Sequence, residues 1–159
     1  MRVGPRWLLL LVTLVVGLSS CRSGEVDPPL IEEADIYADL ATRLCAQARC
    51  GPSHPAFVLL EGPSDEGQAA VKHALPDALF ISSTAALIGP DGRVIDGGRI
   101  LHIGSVQPGP RDEVVLIDTY WESSRTEGKG ETYVYEWNGD IWVFAEPSTV
   151  GVPVTTAVP

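Results

Sequence analysis

Three cysteines and three histidines are the side chains of this 159-residue chain with the most chemistry to offer. Cys45, Cys50 and His54 fall close together, and thiolate and imidazole both suit zinc. No fourth ligand stands near them at a useful spacing, so no metal site is expected. Four residues separate the two thiols, which is not the C-x-x-C spacing of a dithiol redox centre. His54 lies in a proline-flanked loop, His73 on a short expected helix and His102 within an expected strand, and nothing in the pattern brings them together as acid-base chemistry requires. Asp35, Asp39 and Arg43 follow one another at four-residue spacing, which makes an i, i+4 ladder on a solvated helix face rather than a pair of catalytic carboxylates. There is no G-x-S-x-G, H-E-x-x-H, phosphate loop or S-x-x-K. The expectation is no catalytic residue and no cofactor.

The elements that position these groups follow from periodicity. Ile36, Leu40, Leu44 and Ala48 recur every four residues, flanked by Tyr37, Ala41 and Cys45, which predicts a helix from Leu30 or Ile31 to Ala48. Ala56 to Leu60 reads as a buried strand. Asp65 with Gln68 three residues on predicts a capping box opening a short helix, roughly Glu66 to Leu75, although Gly67 weakens its helical propensity. Beyond Ala78 turn signals arrive at the spacing of antiparallel sheet, with strands expected at 79–82, 85–88, 93–95, 99–106, 113–121, 131–137 and 140–145. Gly89-Pro90-Asp91-Gly92 is a turn. Asp91-Gly92 with Asp96-Gly97-Gly98 resembles a calcium-binding glycine-aspartate repeat, but a single copy lacks the neighbour that completes such a site.

Asn138-Gly139 predicts a hairpin closed by a two-residue loop, so that Trp137 faces Asp140, Tyr135 faces Trp142 and Tyr133 faces Phe144. Tyr133, Tyr135, Trp137, Trp142 and Phe144 then share one face and Val134, Ile141, Val143 and Ala145 the other. Flat rings with polar tips suit stacking on a glycan or gripping a peptide, which makes Tyr133, Tyr135, Trp137 and Trp142 candidate binding residues. The same rings also suit the space between sheet and helix of a small domain.

The first 21 residues address the chain. Arg2 and Arg6 precede an apolar run from Trp7 to Leu18, and Ser19-Ser20-Cys21 follows. Twelve helical residues reach only ~18 Å against a hydrocarbon core of about 30 Å, too short for a permanent span and suited to a signal-peptide core. Leu18-Ser19-Ser20-Cys21 resembles the lipobox of bacterial lipoproteins. The resemblance implies cleavage before Cys21, diacylglyceryl modification of its sulfur, and a partner in the membrane bound through acyl chains. With Cys21 assigned to lipid and the domain in an oxidising compartment, Cys45 and Cys50 are expected to pair as a disulfide closing a short loop.

Cleavage removes residues 1–20 and leaves 139 of the 159, enough for one domain with a real core. Of 11 lysines and arginines, Arg2 and Arg6 depart, so 9 remain against 21 acidic residues and the formal charge moves from −10 to −12. Such a surface repels nucleic acid and anionic headgroups, which leaves anchoring to the acyl chains. The organisation expected is a signal peptide over 1–20, a lipidated tether over 21–29, one domain over 30–146 and an irregular tail over 147–159. The fold class expected is α+β, an N-terminal helix packed on a curved antiparallel meander sheet, which looks like the cystatin-like and NTF2-like layouts. The function expected is an extracytoplasmic, lipid-anchored envelope protein that binds a protein or glycan partner or supports an assembly, without nucleic acid. The alternative is a small enzyme or ligand carrier with a pocket between sheet and helix.

Overall fold

The computed structural model describes residues 31–151, so the signal segment, the tether with Cys21, and residues 152–159 lie outside the described residues. Helix α1 spans Glu33–Ala48 and turns Ile36, Tyr37, Leu40, Ala41, Leu44 and Ala48 inward, the four-residue period doing what a single apolar stripe requires. Its end is a Schellman cap. Arg49 adopts φ 57°, its N–H donates to the Ala46 carbonyl at 3.1 Å, and Cys50 N–H donates to the Cys45 carbonyl at 2.9 Å.

Strand β1 (Ala56–Glu61) leads through helix α2 (Asp65–Ala74) to the short strand β2 (Leu79–Ile81). The cap of α2 is Ser64 rather than the expected Asp65. The Ser64 hydroxyl accepts from Gly67 N–H, and Asp65 occupies the first helical position, where its charge favours the helix dipole. Strands β3 (Arg99–Pro108), β4 (Val114–Ser124), β5 (Glu127–Trp137) and β6 (Trp142–Ala145) complete one six-stranded sheet in the order β2-β1-β3-β4-β5-β6.

The class is α+β with α1 packed on the sheet, but the sheet is mixed. β3 to β6 form the expected antiparallel meander, whereas β1 runs parallel to both β2 and β3. A helix between two short apolar runs is a crossover unit, and a crossover returns the chain parallel to where it left. The expected strands at 85–88 and 93–95 are instead a ribbon held by one bridge, Ile88 with Val94, around the Gly89–Gly92 turn. It carries Leu87 and Val94 onto Phe57 and Ile100, covering the face of the sheet opposite α1.

The hairpin between β5 and β6 is wider than expected. Tyr135 faces Phe144 and Trp137 faces Trp142, a shift of two residues. The Asn138 side chain is the cause: its Oδ1 accepts from the N–H groups of Asp140 and Ile141, both at 3.0 Å, which builds a four-residue loop. A two-residue shift exchanges partners without exchanging faces, so the aromatic face survives. Ile141, expected on the reverse face, sits in the loop and is 54% exposed. The start of the expected irregular tail is also ordered. Helix α3 (Pro147–Val150) seats Val150 against Val114 and Val134 on the reverse face.

Candidate binding surfaces

Alternation along β4 and β5 decides which rings α1 covers. Val115, Ile117, Thr119 and Trp121 of β4 share the helix-facing side with Tyr133 and Tyr135 of β5. Tyr135 is 1% exposed and Tyr133 is 7% exposed. Each phenol finds a partner on α1, as a buried hydroxyl must: Tyr135 donates to Asp39 Oδ2 at 2.8 Å and Tyr133 to Gln47 Oε1 at 3.2 Å. Tyr37, reaching the other way, donates to the Gly104 carbonyl at 3.0 Å, where a bulge in β3 sets Gly104 and Ser105 against the single residue Asp118. Of the four candidate binding rings, two are therefore core. Arg43, paired with Asp39, lays its guanidinium 4.5 Å from the centre of the Phe144 ring.

Trp137 and Trp142 are different. Their rings meet at a tilt of 55° with centroids 5.8 Å apart at the end of the hairpin, both half-buried, beside exposed Ile141. Trp142 also buries an indole N–H that no acceptor among the described residues meets, so its polar tip is the one in the set that the fold leaves unsatisfied.

Where β6 stops, a groove of about 560 Å³ opens between the C-terminal half of α1 and β5, lined by Arg43, Gln47, Glu131, Tyr133, Phe144 and Glu146. Burial pushes the Tyr133 phenol up to about 12, helped by the Glu131 carboxylate. Burial raises Tyr37 to about 12 as well, with Glu33 adding to it, and burial followed by the bond to Asp39 raises Tyr135. All three folded-state values lie above the ordinary tyrosine value of about 10, so the neutral phenols stabilise the fold fully below pH 10 and that contribution is lost as pH climbs through the raised values. Urea midpoints should be flat from pH 7 to 9 and fall steeply between about pH 10 and 12. A midpoint unchanged at pH 12 contradicts the burial of these phenols.

The histidines stay apart from one another. His54 Nδ1 lies 2.8 Å from the Gly97 carbonyl, and His73 rides on α2. His102 meets two residues the sequence pattern did not single out: register brings Glu122 Oε1 to 3.7 Å from its Nε2 and the Tyr120 ring to 5.5 Å. These three stand on the reverse face of the sheet, opposite α1. Alternation in Tyr120-Trp121-Glu122 was the available signal, readable only once the β3–β4 register is known.

Cys45 and Cys50 occupy the two positions that a Schellman cap brings side by side. They are free thiols, close but not at bonding distance. Their mutual hydrogen bond holds Cys45 below the usual thiol value and, with burial, pushes Cys50 up. Both line a second groove of about 510 Å³ with Gly51, Pro55 and Leu75. Among the described residues no cluster of three or more histidine, cysteine or carboxylate side chains is arranged to hold a metal ion. Comparison with protein-family models, curated proteins and solved structures returns no match.

Proposed function

We propose that this chain is a bacterial envelope lipoprotein, held to its membrane by acyl chains on Cys21, whose domain acts by binding another envelope component. The anchoring half rests on residues 1–21, where a basic start, a short apolar run and two small residues lead to a cysteine. No helix among the described residues is long and apolar enough to cross a membrane. The binding half rests on the hairpin corner, where Trp137, Trp142 and Ile141 keep apolar area at the surface while the other rings of the same face are used up beneath α1. Indole faces beside the polar Asn138 and Asp140 suit a glycan or a peptide.

A photo-crosslinker at position 141 of the full-length protein in its own membrane tests this. A discrete adduct that disappears with Trp137→Ala supports the corner as the site. Adducts only from a crosslinker at Gln47 support the second reading, a carrier or enzyme using the groove between sheet and helix.

The disulfide belongs to the same proposal. The cap brings Cys45 and Cys50 close to one another, and an oxidising compartment would close the bond. The loop is short, so closure should stabilise the domain by only about 2 kcal/mol. Protein isolated from the envelope should resist alkylation at both positions until reduced, and reduction should lower its urea midpoint modestly. Full alkylation without reductant contradicts the bond.

A further inference from the structure

The groove between α1 and β5 carries a guanidinium that the fold holds in place. Arg43 donates through Nε to Asp39 Oδ2 at 2.6 Å and rests its guanidinium carbon 4.5 Å from the centre of the Phe144 ring, so one edge and one face are fixed. Arg43 lines the groove, and its two Nη groups meet no acceptor among the described residues. Charge of the opposite sign lines the same space. Glu131 has both carboxylate oxygens engaged, Oε2 by the Gln47 amide at 2.5 Å and Oε1 by Lys129. Gln47 in turn accepts from the Tyr133 hydroxyl at 3.2 Å, so this polar wall is fastened before any ligand arrives. Glu146, an exposed residue just past the end of β6, adds a second carboxylate. At about 560 Å³ the groove falls within the range of small-molecule sites.

We propose that this groove binds a short free peptide, with the C-terminal carboxylate on Arg43 and the N-terminal ammonium on Glu146. A guanidinium anchored at Nε keeps its Nη pair for a planar anion, and a carboxylate matches that pair. Fixing the fork beforehand removes the ordering cost that a loose arginine carries. The two glutamates decide what else the ligand must have. A dianion such as phosphate would stand against Glu131 and Glu146, and a simple amine against Arg43, whereas a molecule with both charges meets its complement at each end. Phe144 and Ala46 add apolar surface for the residues in between. The proposal rests on the groove being a ligand site and is independent of the indole corner, since neither Trp137, Ile141 nor Trp142 lines it.

Full-length protein in detergent is titrated with tri-alanine by isothermal titration calorimetry, alongside the same peptide with its amine acetylated and with its carboxylate amidated. Wild type is expected to bind the free peptide, and to bind each blocked form at least about tenfold more weakly, since each has lost one charge-assisted bond. Arg43→Gln should bind free and amidated peptide alike, and Glu146→Gln should bind free and acetylated peptide alike, each variant losing discrimination at its own end only. Circular dichroism and urea midpoints check the fold. Glu146 is exposed, so Glu146→Gln keeps the test standing if Arg43→Gln fails to fold. No binding of tri-alanine, equal binding of all three peptides, or discrimination unchanged in a folded variant overturns the proposal. Equal binding would still leave the groove a site for another class of ligand, whereas a crosslinker at Gln47 that captures nothing would strike the groove itself, so the two failures are told apart.

Discussion

Tyr135→Ala should lower the stability of the domain by about 3 to 5 kcal/mol, the range for removing a large ring from a packed core. The ring is 1% exposed and packs edge-on to Phe144 with centroids 6.0 Å apart. Nothing nearby is free to fill the space, because α1 is held over it by Ile36, Leu40 and Leu44, all fully buried. Tyr135→Phe isolates the hydroxyl. Asp39 is partly exposed and keeps Arg43 as its partner, so that change should cost only about 0.5 to 1.5 kcal/mol. Trp137→Ala, at the half-buried corner, should cost clearly less than Tyr135→Ala. Urea denaturation of the three variants gives the order directly. A Tyr135→Ala protein within about 1 kcal/mol of wild type contradicts the placement of this ring in the core.

Gly67→Ala should destabilise, against the general rule. In an exposed helix the change gains up to about 1 kcal/mol. Here a β-carbon at residue 67 would lie 2.6 Å from Tyr37 Cδ2 and 2.7 Å from Tyr37 Cε2. That ring cannot retreat: it is fully buried, and its hydroxyl is fixed on the Gly104 carbonyl. Overpacking of this kind costs about 1 to 3 kcal/mol. Trimming the obstacle should expose the cause, so the penalty of Gly67→Ala should shrink in a Tyr37→Leu background, a coupling read from a double-mutant cycle. A gain in stability from Gly67→Ala alone contradicts the close approach of α1 and α2.

Gly67 also illustrates what local pattern can and cannot carry. By propensity it weakens the second helix, and its actual role, a contact point for Tyr37 thirty residues away in the chain, is tertiary and has no local signature. Helix α1 was legible because six buried positions obey one period. The meander was legible because each strand alternates and two of its three turns carry glycine, asparagine or proline, whereas the β4–β5 turn at Arg125-Thr126 carries none of them. The parallel half was not, since an apolar run of three residues such as Leu79–Ile81 says nothing about direction. The hairpin illustrates a partial reading: Asn138-Gly139 located the turn, but the bonds from the Asn138 side chain set its length. The candidate binding set divided for a related reason. Sharing a face was a matter of parity and followed from the sequence, whereas being covered depends on where α1 ends, and it covers Tyr133 and Tyr135 more fully than Trp137. The meeting of His102 with Glu122 was hidden by the bulge at Gly104 and Ser105, which displaces the β3–β4 register that simple counting would assign.

Membrane tethering is the claim on which compartment, disulfide and envelope partner all depend, and Cys21 decides it. Mass spectrometry of the N-terminal peptide of the mature protein, taken from the native membrane, should find a chain that begins at Cys21 with a diacylglyceryl thioether on its sulfur. A peptide that runs unmodified through Cys21, or that begins elsewhere with a bare thiol at that position, would contradict it.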